Sequence, residues 1–298
     1  MTDTSEATHA MRIDLHSHSD ASDGTRPPAE VVRRARERGL DVLALTDHDT
    51  VAGWDEAAAA LPDGLTLVPG IELSCHEDGR SLHLLGYLFD PDEPELAAEL
   101  ARIRNDRLIR AQGMVDRLRG LGVDVTWGMV RALAKGEAVG RPHIARAMIE
   151  AGAIETHDEA FTEQWIAQGG RAYVERYALD PVRAIGLVRA AGGVCVLAHP
   201  RARRSEYVFS DEVIERLAAA GLAGIEADHP DHVPEDRARL RGLAAALGLA
   251  ATGSSDDHGA PTGDRLGSET TGPEAFAQLI AGASGGDLRV PDRGREAR

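Results

Sequence analysis

Aromatic residues are scarce, 4% of 298 positions. Single-strand binders stack successive bases on aromatic faces, so this composition argues against such a platform. Cysteine is nearly absent. Cys75 and Cys195 stand 120 positions apart and form no CxxC pair, which excludes a disulfide scaffold and a Cys-rich zinc site. No run approaches the roughly 18–20 apolar residues of a membrane span. The stretch Met1–Met11 has no apolar signal-peptide core. These absences predict a cytoplasmic protein with no membrane partner. Positive charge is in deficit: 33 Lys and Arg against 49 Asp and Glu give −16. Bulk charge therefore argues against a grip on duplex DNA, and a phosphate-bearing substrate needs local arginines or bound metal. No obligate protein partner is evident, and there is no internal repeat or low-complexity linker.

What is present is an ordinary folded composition, 43% hydrophobic and 28% charged. Short apolar runs read as buried strands: Arg12–Leu15, Val42–Leu45, Thr66–Leu73, Leu82–Phe89, Val194–Ala198, Gly224–Ala227 and Leu249–Gly253. Helical patterns follow several of them, as in Pro27–Arg38, Pro181–Ala191 with Asp180 as N-cap, and Pro234–Leu247. Repeated strand–helix alternation predicts a parallel α/β architecture, most simply a barrel. Residues 94–170 break the pattern with helices alone: Leu96–Leu121, Trp127–Ala134, Arg141–Glu150 and Asp158–Ala167. The expected organisation is a discontinuous barrel over 10–93 and 171–283, a helical insertion over 94–170, and flexible termini at 1–9 and 284–298.

The chemistry gathers where strands end. His16 and His18 close the first strand, and residues i and i+2 of an extended chain point the same way. Asp23 follows in a loop. The second strand stops on Asp47-His48-Asp49, the third contains Glu72 between apolar neighbours, the fifth runs into His199, and the seventh ends in Asp256-Asp257-His258. The C-terminal strand edge is where barrel enzymes keep their active sites. An unpaired buried carboxylate is costly, so Glu72 calls for a metal or an arginine. His83 interrupts an apolar stretch, and His143 opens an insertion helix. Histidines with carboxylates and no thiolate suit Mn²⁺, Fe²⁺ or Zn²⁺ better than Mg²⁺. One ion cannot use so many ligands, so two or three ions are expected. His9, His76 and His157 read as surface residues.

In combination, His16-Ser17-His18, Thr46-Asp47-His48-Asp49, Gly70-Ile71-Glu72, Leu197-Ala198-His199-Pro200 and Asp256-Asp257-His258 resemble the PHP (polymerase and histidinol phosphatase) metal-dependent phosphoesterases. Gly140-Arg141-Pro142-His143-Ile144-Ala145-Arg146, Ala190-Ala191-Gly192-Gly193 and His229-Pro230-Asp231-His232 resemble the branch with 3′,5′-nucleoside bisphosphate phosphatases and a 5′→3′ exoribonuclease. The resemblance implies a distorted (β/α)₇ TIM-like barrel with a helical insertion and three divalent ions, Mn²⁺ foremost. It implies one ion on His16, His18, Glu72 and Asp256, and a second on Asp23, His48, His199 and His258. A third would take Glu72, His83 and His143. Asp47 and Asp49 would orient His48. Asp257 departs from the pattern, which has an aromatic or aliphatic residue there; its carboxylate is expected beside the metals or in solvent.

The expected reaction is in-line attack of metal-bound hydroxide on a phosphate monoester, preferably a 3′,5′-nucleoside bisphosphate of the 3′-phospho-AMP type. His232 and metal-bound water are the candidate proton donors to the leaving oxygen. Arg141, by its place in the motif, and Arg104 and Arg107, on the inward face of the long helix, are candidate phosphate binders. The close alternative is removal of 5′-terminal nucleotides from short RNA. The alternative of another class is a non-catalytic metal-binding or proofreading module of a replication complex.

Overall fold

The apolar runs fold as strands. In the computed structural model, which describes residues 10–134, 139–175, 177, 179–202 and 208–291, they form a single seven-stranded sheet. The strands, in sequence order, are β1 (Ile13–Asp14), β2 (Val42–Leu45), β3 (Thr66–Glu77), β4 (Arg80–Tyr87), β5 (Val194–Leu197), β6 (Gly224–Asp228) and β7 (Ala250–Gly253). Side chains alternate across a strand. Val42 and Ala44 therefore cluster with Leu15, Val68, Leu85 and Val196 in the barrel interior, together with Phe276 and Leu279 of an end-capping helix. Leu43 and Leu45 point the other way, onto Val31, Val32 and Ala35 of α1 (Pro28–Glu37).

The barrel is not purely parallel. β4 runs antiparallel to both β3 and β5, while the other neighbours pair in parallel. The cause is local. Asp78 and Gly79 have φ of 48° and 75°, the double positive φ of a tight hairpin turn, so no crossover helix separates β3 from β4. The reversal places the start of β4 on the rim where the parallel strands end. His83, opposite Ser74 in register, lies there.

Between β1 and β7 the barrel closes without a strand ladder. The Thr271 N–H donates to Ile13 O at 2.8 Å, and its hydroxyl contacts Gly253 N and O at 3.1 and 2.8 Å. Above it, Asp256 N–H reaches His16 O and His18 N–H reaches Asp257 O, both at 2.9 Å. The seam is thus made by the residues that carry the candidate ligands.

Helices α2 (Trp54–Ala59), α7 (Pro181–Ala190), α8 (Asp211–Ala219), α9 (Pro234–Leu247) and α10 (Pro273–Ala281) complete the barrel with α1. Between β4 and α7 the described residues hold α3 (Pro94–Gly120), α4 (Trp127–Leu133), α5 (Arg141–Glu150) and α6 (His157–Ala160). Glu93 caps α3 by accepting from Leu96 N–H at 2.8 Å. Met114, Leu118, Ile144, Met148 and Ile166 form an apolar cluster of their own. Each such fully buried side chain stabilises by roughly 1.5–3 kcal/mol. The helix expected to run to Ala167 stops at Ala160, and beyond it the Thr162 hydroxyl donates to the Glu159 carbonyl at 2.9 Å.

The C-terminal tail, expected to be loose, is held by backbone bonds as far as Arg289. Ser284 N–H donates to Gly192 O at 2.7 Å, and Arg289 exchanges two backbone bonds with Leu67. Residues 1–9 and 292–298 lie outside the described residues.

Candidate metal centre

Glu72 is the hub. It is 1% exposed, and five imidazoles converge on its carboxylate. Oε1 lies 2.7 Å from His83 Nδ1 and 3.0 Å from His199 Nε2. Oε2 lies 3.2 Å from Nε2 of both His16 and His18, and 3.1 Å from His48 Nδ1. Asp256 Oδ1 stands 3.3 Å from the same two Nε2 atoms. Asp23 closes the far side, with Oδ1 3.3 Å from His258 Nε2 and Oδ2 3.8 Å from His48 Nε2.

Three groups of potential ligand atoms each lie within 4.8 Å of one another: His16, His18, Glu72 and Asp256; His18, Asp23, His48 and His258; and His48, Glu72 and His83. The first matches the expected set. In the other two, His18 stands where His199 is expected beside Asp23, His48 and His258, and His48 stands where His143 is expected beside Glu72 and His83. His199 turns to Glu72, with its ring centroid 5.4 Å from that of His83, rather than to Asp23. His143 feels the charge of Asp23, and its Nδ1 accepts from Gly140 N–H at 3.1 Å.

Hydrogen bonding alone does not account for this arrangement. His16 Nε2 and His18 Nε2 face each other at 3.0 Å. His18 Nδ1, His48 Nδ1 and Glu72 Oε2 are buried without a hydrogen bond, which native interiors avoid. Burial pushes His48 down to about 3 and His143 to about 4, keeping both neutral, the ligand form. Against the same burial, the charges of neighbouring histidines, His83 and His16 among them, hold Glu72 well below the usual carboxylate range, and His16 and His258 do so for Asp256. Orphaned, inward-facing nitrogens around ionised oxygens fit divalent cations.

Backbone geometry agrees. Asp49, His199 and Asp256 take φ of 54°, 29° and 49° at strand ends. Non-glycine residues there cost of order 1–3 kcal/mol, and such strain gathers at functional sites.

The expected substrate residues are distributed differently. Arg107 is engaged within the protein: Nε meets Asp49 Oδ2 at 2.6 Å and Nη2 donates to Ser74 Oγ at 2.6 Å. Arg104 reaches Asp49 O at 3.4 Å. Arg141 lies 5.3 Å over the Phe161 ring and donates to Ile166 O at 3.4 Å. His232 does not fit the expected proton donor. Its Nδ1 donates to Ala227 O at 2.9 Å, its Nε2 accepts Arg201 N–H at 3.2 Å, and burial lowers its pKa. Both ring nitrogens are committed to the backbone. Asp47 accepts from Ser19 and Ser22, and Asp49 accepts from Ser74 N–H and forms an ion pair with Arg107, so these carboxylates shape the loops flanking His48. His76 and His157 are half-buried and His9 lies outside the described residues.

Residues 14–120 match the PHP domain. The chain is 36% identical to a 5′-3′ exoribonuclease of Haemophilus influenzae, over 83% of this chain and 90% of that one. It is 37% identical to a 3′,5′-nucleoside bisphosphate phosphatase of Chromobacterium violaceum, over 85% and 89%. The chain belongs to the PHP family. A crystal structure from Bifidobacterium adolescentis, assigned to the metal-dependent phosphoesterases, superposes on this PHP barrel with a TM-score of 0.85 at 36% identity, covering 92% of this chain and 97% of that one. A phosphoribosyl 1,2-cyclic phosphate 1,2-diphosphodiesterase of Eggerthella lenta is 35% identical over 84% and 95%. The protein is a metal-dependent phosphoesterase, and its His/Asp/Glu clusters could hold divalent metal.

Three residues of the PHP centre escaped the sequence reading. Glu226 is fully buried, with Oε1 3.2 Å from His16 Nδ1 and Oε2 accepting His199 N–H at 2.7 Å. Against burial, His16 holds it down at about 2. The signal was available: Gly224-Ile225-Glu226 repeats Gly70-Ile71-Glu72. His229 Nε2 lies 3.4 Å from Asp256 Oδ2, inside a motif already noted. Arg265 Nη2 lies 3.1 Å from the same oxygen, and no pattern announced it.

Among the described residues, no helix is long and apolar enough to cross a membrane.

Proposed function

We propose that this enzyme hydrolyses phosphate monoesters of small nucleotides, 3′,5′-nucleoside bisphosphates first, at a centre of three divalent ions. The observation that carries the reading is the double use of Glu72: Oε1 between His83 and His199, Oε2 among His16, His18 and His48. One carboxylate shared in this way suits adjacent ions. His16, His18, Glu72 and Asp256 would hold one, Glu72, His83 and His199 a second, and Asp23, His48, His143 and His258 a third. The donor set favours Mn²⁺, with Fe²⁺ or Zn²⁺ next.

When bound, such ions activate water and neutralise phosphate oxygens. The chain's own residues do the rest. Glu226 fixes His16 with Nε2 inward. Arg107, by holding Asp49, keeps the start of the β2–α2 connection against the ligands. Arg141 and Arg104 stand on the insertion side, where a substrate phosphate would meet guanidinium groups. Residues 94–170 are read as an insertion into the barrel of 10–93 and 171–283, supported by the separate apolar cluster.

The nucleotide class is supported by the relatives from H. influenzae and C. violaceum. The exoribonuclease name favours a second reading, removal of 5′ nucleotides from short RNA, in which a chain end takes the place of the bisphosphate. A substrate panel with Mn²⁺ tests both. Faster turnover of 3′-phospho-AMP than of a 5′-phosphorylated RNA trimer supports the first reading; the reverse order supports the second. Absence of phosphate or nucleotide release from every member overturns both.

A further inference from the structure

The two oxygens of Asp256 have different neighbours. Oδ1 faces the centre, 3.3 Å from Nε2 of His16 and His18 and 3.5 Å from His258 Nδ1. Oδ2 is turned away, 3.1 Å from Arg265 Nη2 and 3.4 Å from His229 Nε2. Arg265 also donates to the Asp256 carbonyl, from Nη2 at 3.0 Å and Nε at 3.3 Å. With φ of 49°, Asp256 depends on such clamps to keep its orientation.

Asp257 explains where Arg265 stands. Its carboxylate is found neither beside the metals nor in solvent. It is 1% exposed and engaged by the loop that follows it and by Arg26. Oδ1 accepts Arg265 N–H at 2.7 Å and the Thr262 hydroxyl at 3.3 Å. Oδ2 accepts Arg26 Nη1 and Gly259 N–H, both at 3.1 Å. Thr262 Oγ1 in turn accepts His258 N–H at 2.9 Å. One buried carboxylate thus folds residues 259–265 back over the strand end and delivers the Arg265 guanidinium to its neighbour.

We propose that Arg265 is a positioning residue for the metal centre, anchored by Asp257: it occupies Asp256 Oδ2 and leaves Oδ1 as the one oxygen offered to metal. The inference rests on the metal-centre reading above. A guanidinium makes a strong, directional bond to a carboxylate, and the partners of ligands tune metal binding through such bonds. The position of Asp257 inside Asp256-Asp257-His258 then serves both flanking ligands. It holds Asp256 through Arg265 and His258 through Thr262.

The test is Mn²⁺ affinity by chelator competition, with elemental analysis, on Arg265→Met, Arg265→Lys, Asp257→Asn and Asp256→Ala, each checked for wild-type circular dichroism. Arg265→Met should lower affinity about 10–100-fold, the usual effect of removing a ligand's partner. Arg265→Lys retains one charged donor and should recover most of it, which a purely structural role would not require. Wild-type affinity in Arg265→Met, alongside metal loss in Asp256→Ala, overturns the positioning role alone. Full metal retention in Asp256→Ala overturns the metal-centre reading itself. Should Arg265→Met not fold, Asp257→Asn decides: its amide turns a donor toward one pair of the donors that Asp257 now accepts and should weaken Mn²⁺ binding, and unchanged affinity overturns the role.

Discussion

Glu226 Oε1 sits 3.2 Å from His16 Nδ1, and this one contact sends the opposite nitrogen of the ring, Nε2, toward Glu72 and Asp256. The same carboxylate holds His199 by its backbone N–H. Glu226→Ala should therefore loosen two ligands at once and reduce phosphate release about 10–100-fold, with metal content falling alongside. Glu226→Gln keeps an acceptor and should fall less. Equal activity in Glu226→Ala and the wild type would remove Glu226 from the centre.

Arg107 and Arg141 should separate cleanly. Asp49 is wholly buried and Arg107 is its charge partner at 2.6 Å. Removing one partner of a buried pair costs about 3–5 kcal/mol. Arg107→Ala should lower the unfolding midpoint in urea, measured with EDTA present so that metal does not contribute. Arg141→Ala should leave that midpoint nearly unchanged and raise KM, with a loss in kcat/KM worth about 1.5–3 kcal/mol. A stable Arg107→Ala with raised KM would return Arg107 to substrate binding.

How far the sequence could be read depended on whether the signal was local. Strand identity is local, and runs such as Val42–Leu45 fold with the expected bounds. Direction is not: nothing within Leu82–Phe89 says that β4 runs backwards. Only the Asp78-Gly79 pair between two apolar runs signals the hairpin, through its positive φ. Ligand-type residues at strand ends were legible because hydrophilic groups interrupt apolar runs. Their partnership was not, since His199 reaches Glu72 across more than a hundred residues of chain. Arg265 lies in a loop with no periodicity, and only the fold brings it to Asp256.

The cysteines should be silent. Both are buried, and burial pushes the Cys195 thiol up to about 12. The thiolate is the nucleophile, so the raised pKa leaves almost none at pH 8. Native protein should take up no label from a thiol-alkylating reagent over hours and keep its activity, whereas urea-unfolded protein should take up two. Labelling of the native enzyme with loss of activity would place a reactive thiol near the centre.

The last prediction separates His83 from His143. Were both to bind one ion through Glu72, the double variant would lose no more than either single one, because a vacated site has nothing further to give. Their electrostatic surroundings differ. His83 Nδ1 is 2.7 Å from Glu72 Oε1, whereas the nearby carboxylate of His143 is Asp23, whose carbonyl also accepts Arg146 Nη2 at 3.3 Å. On the proposed assignment each histidine would serve a different ion. His83→Ala and His143→Ala should each lower metal content by about one ion, and the double variant by about two. The group of His16, His18, Glu72 and Asp256 should keep its metal in all three variants, since none of its members is altered. Elemental analysis after dialysis reads the difference directly. A double variant with the metal content of either single one would return His83 and His143 to one site.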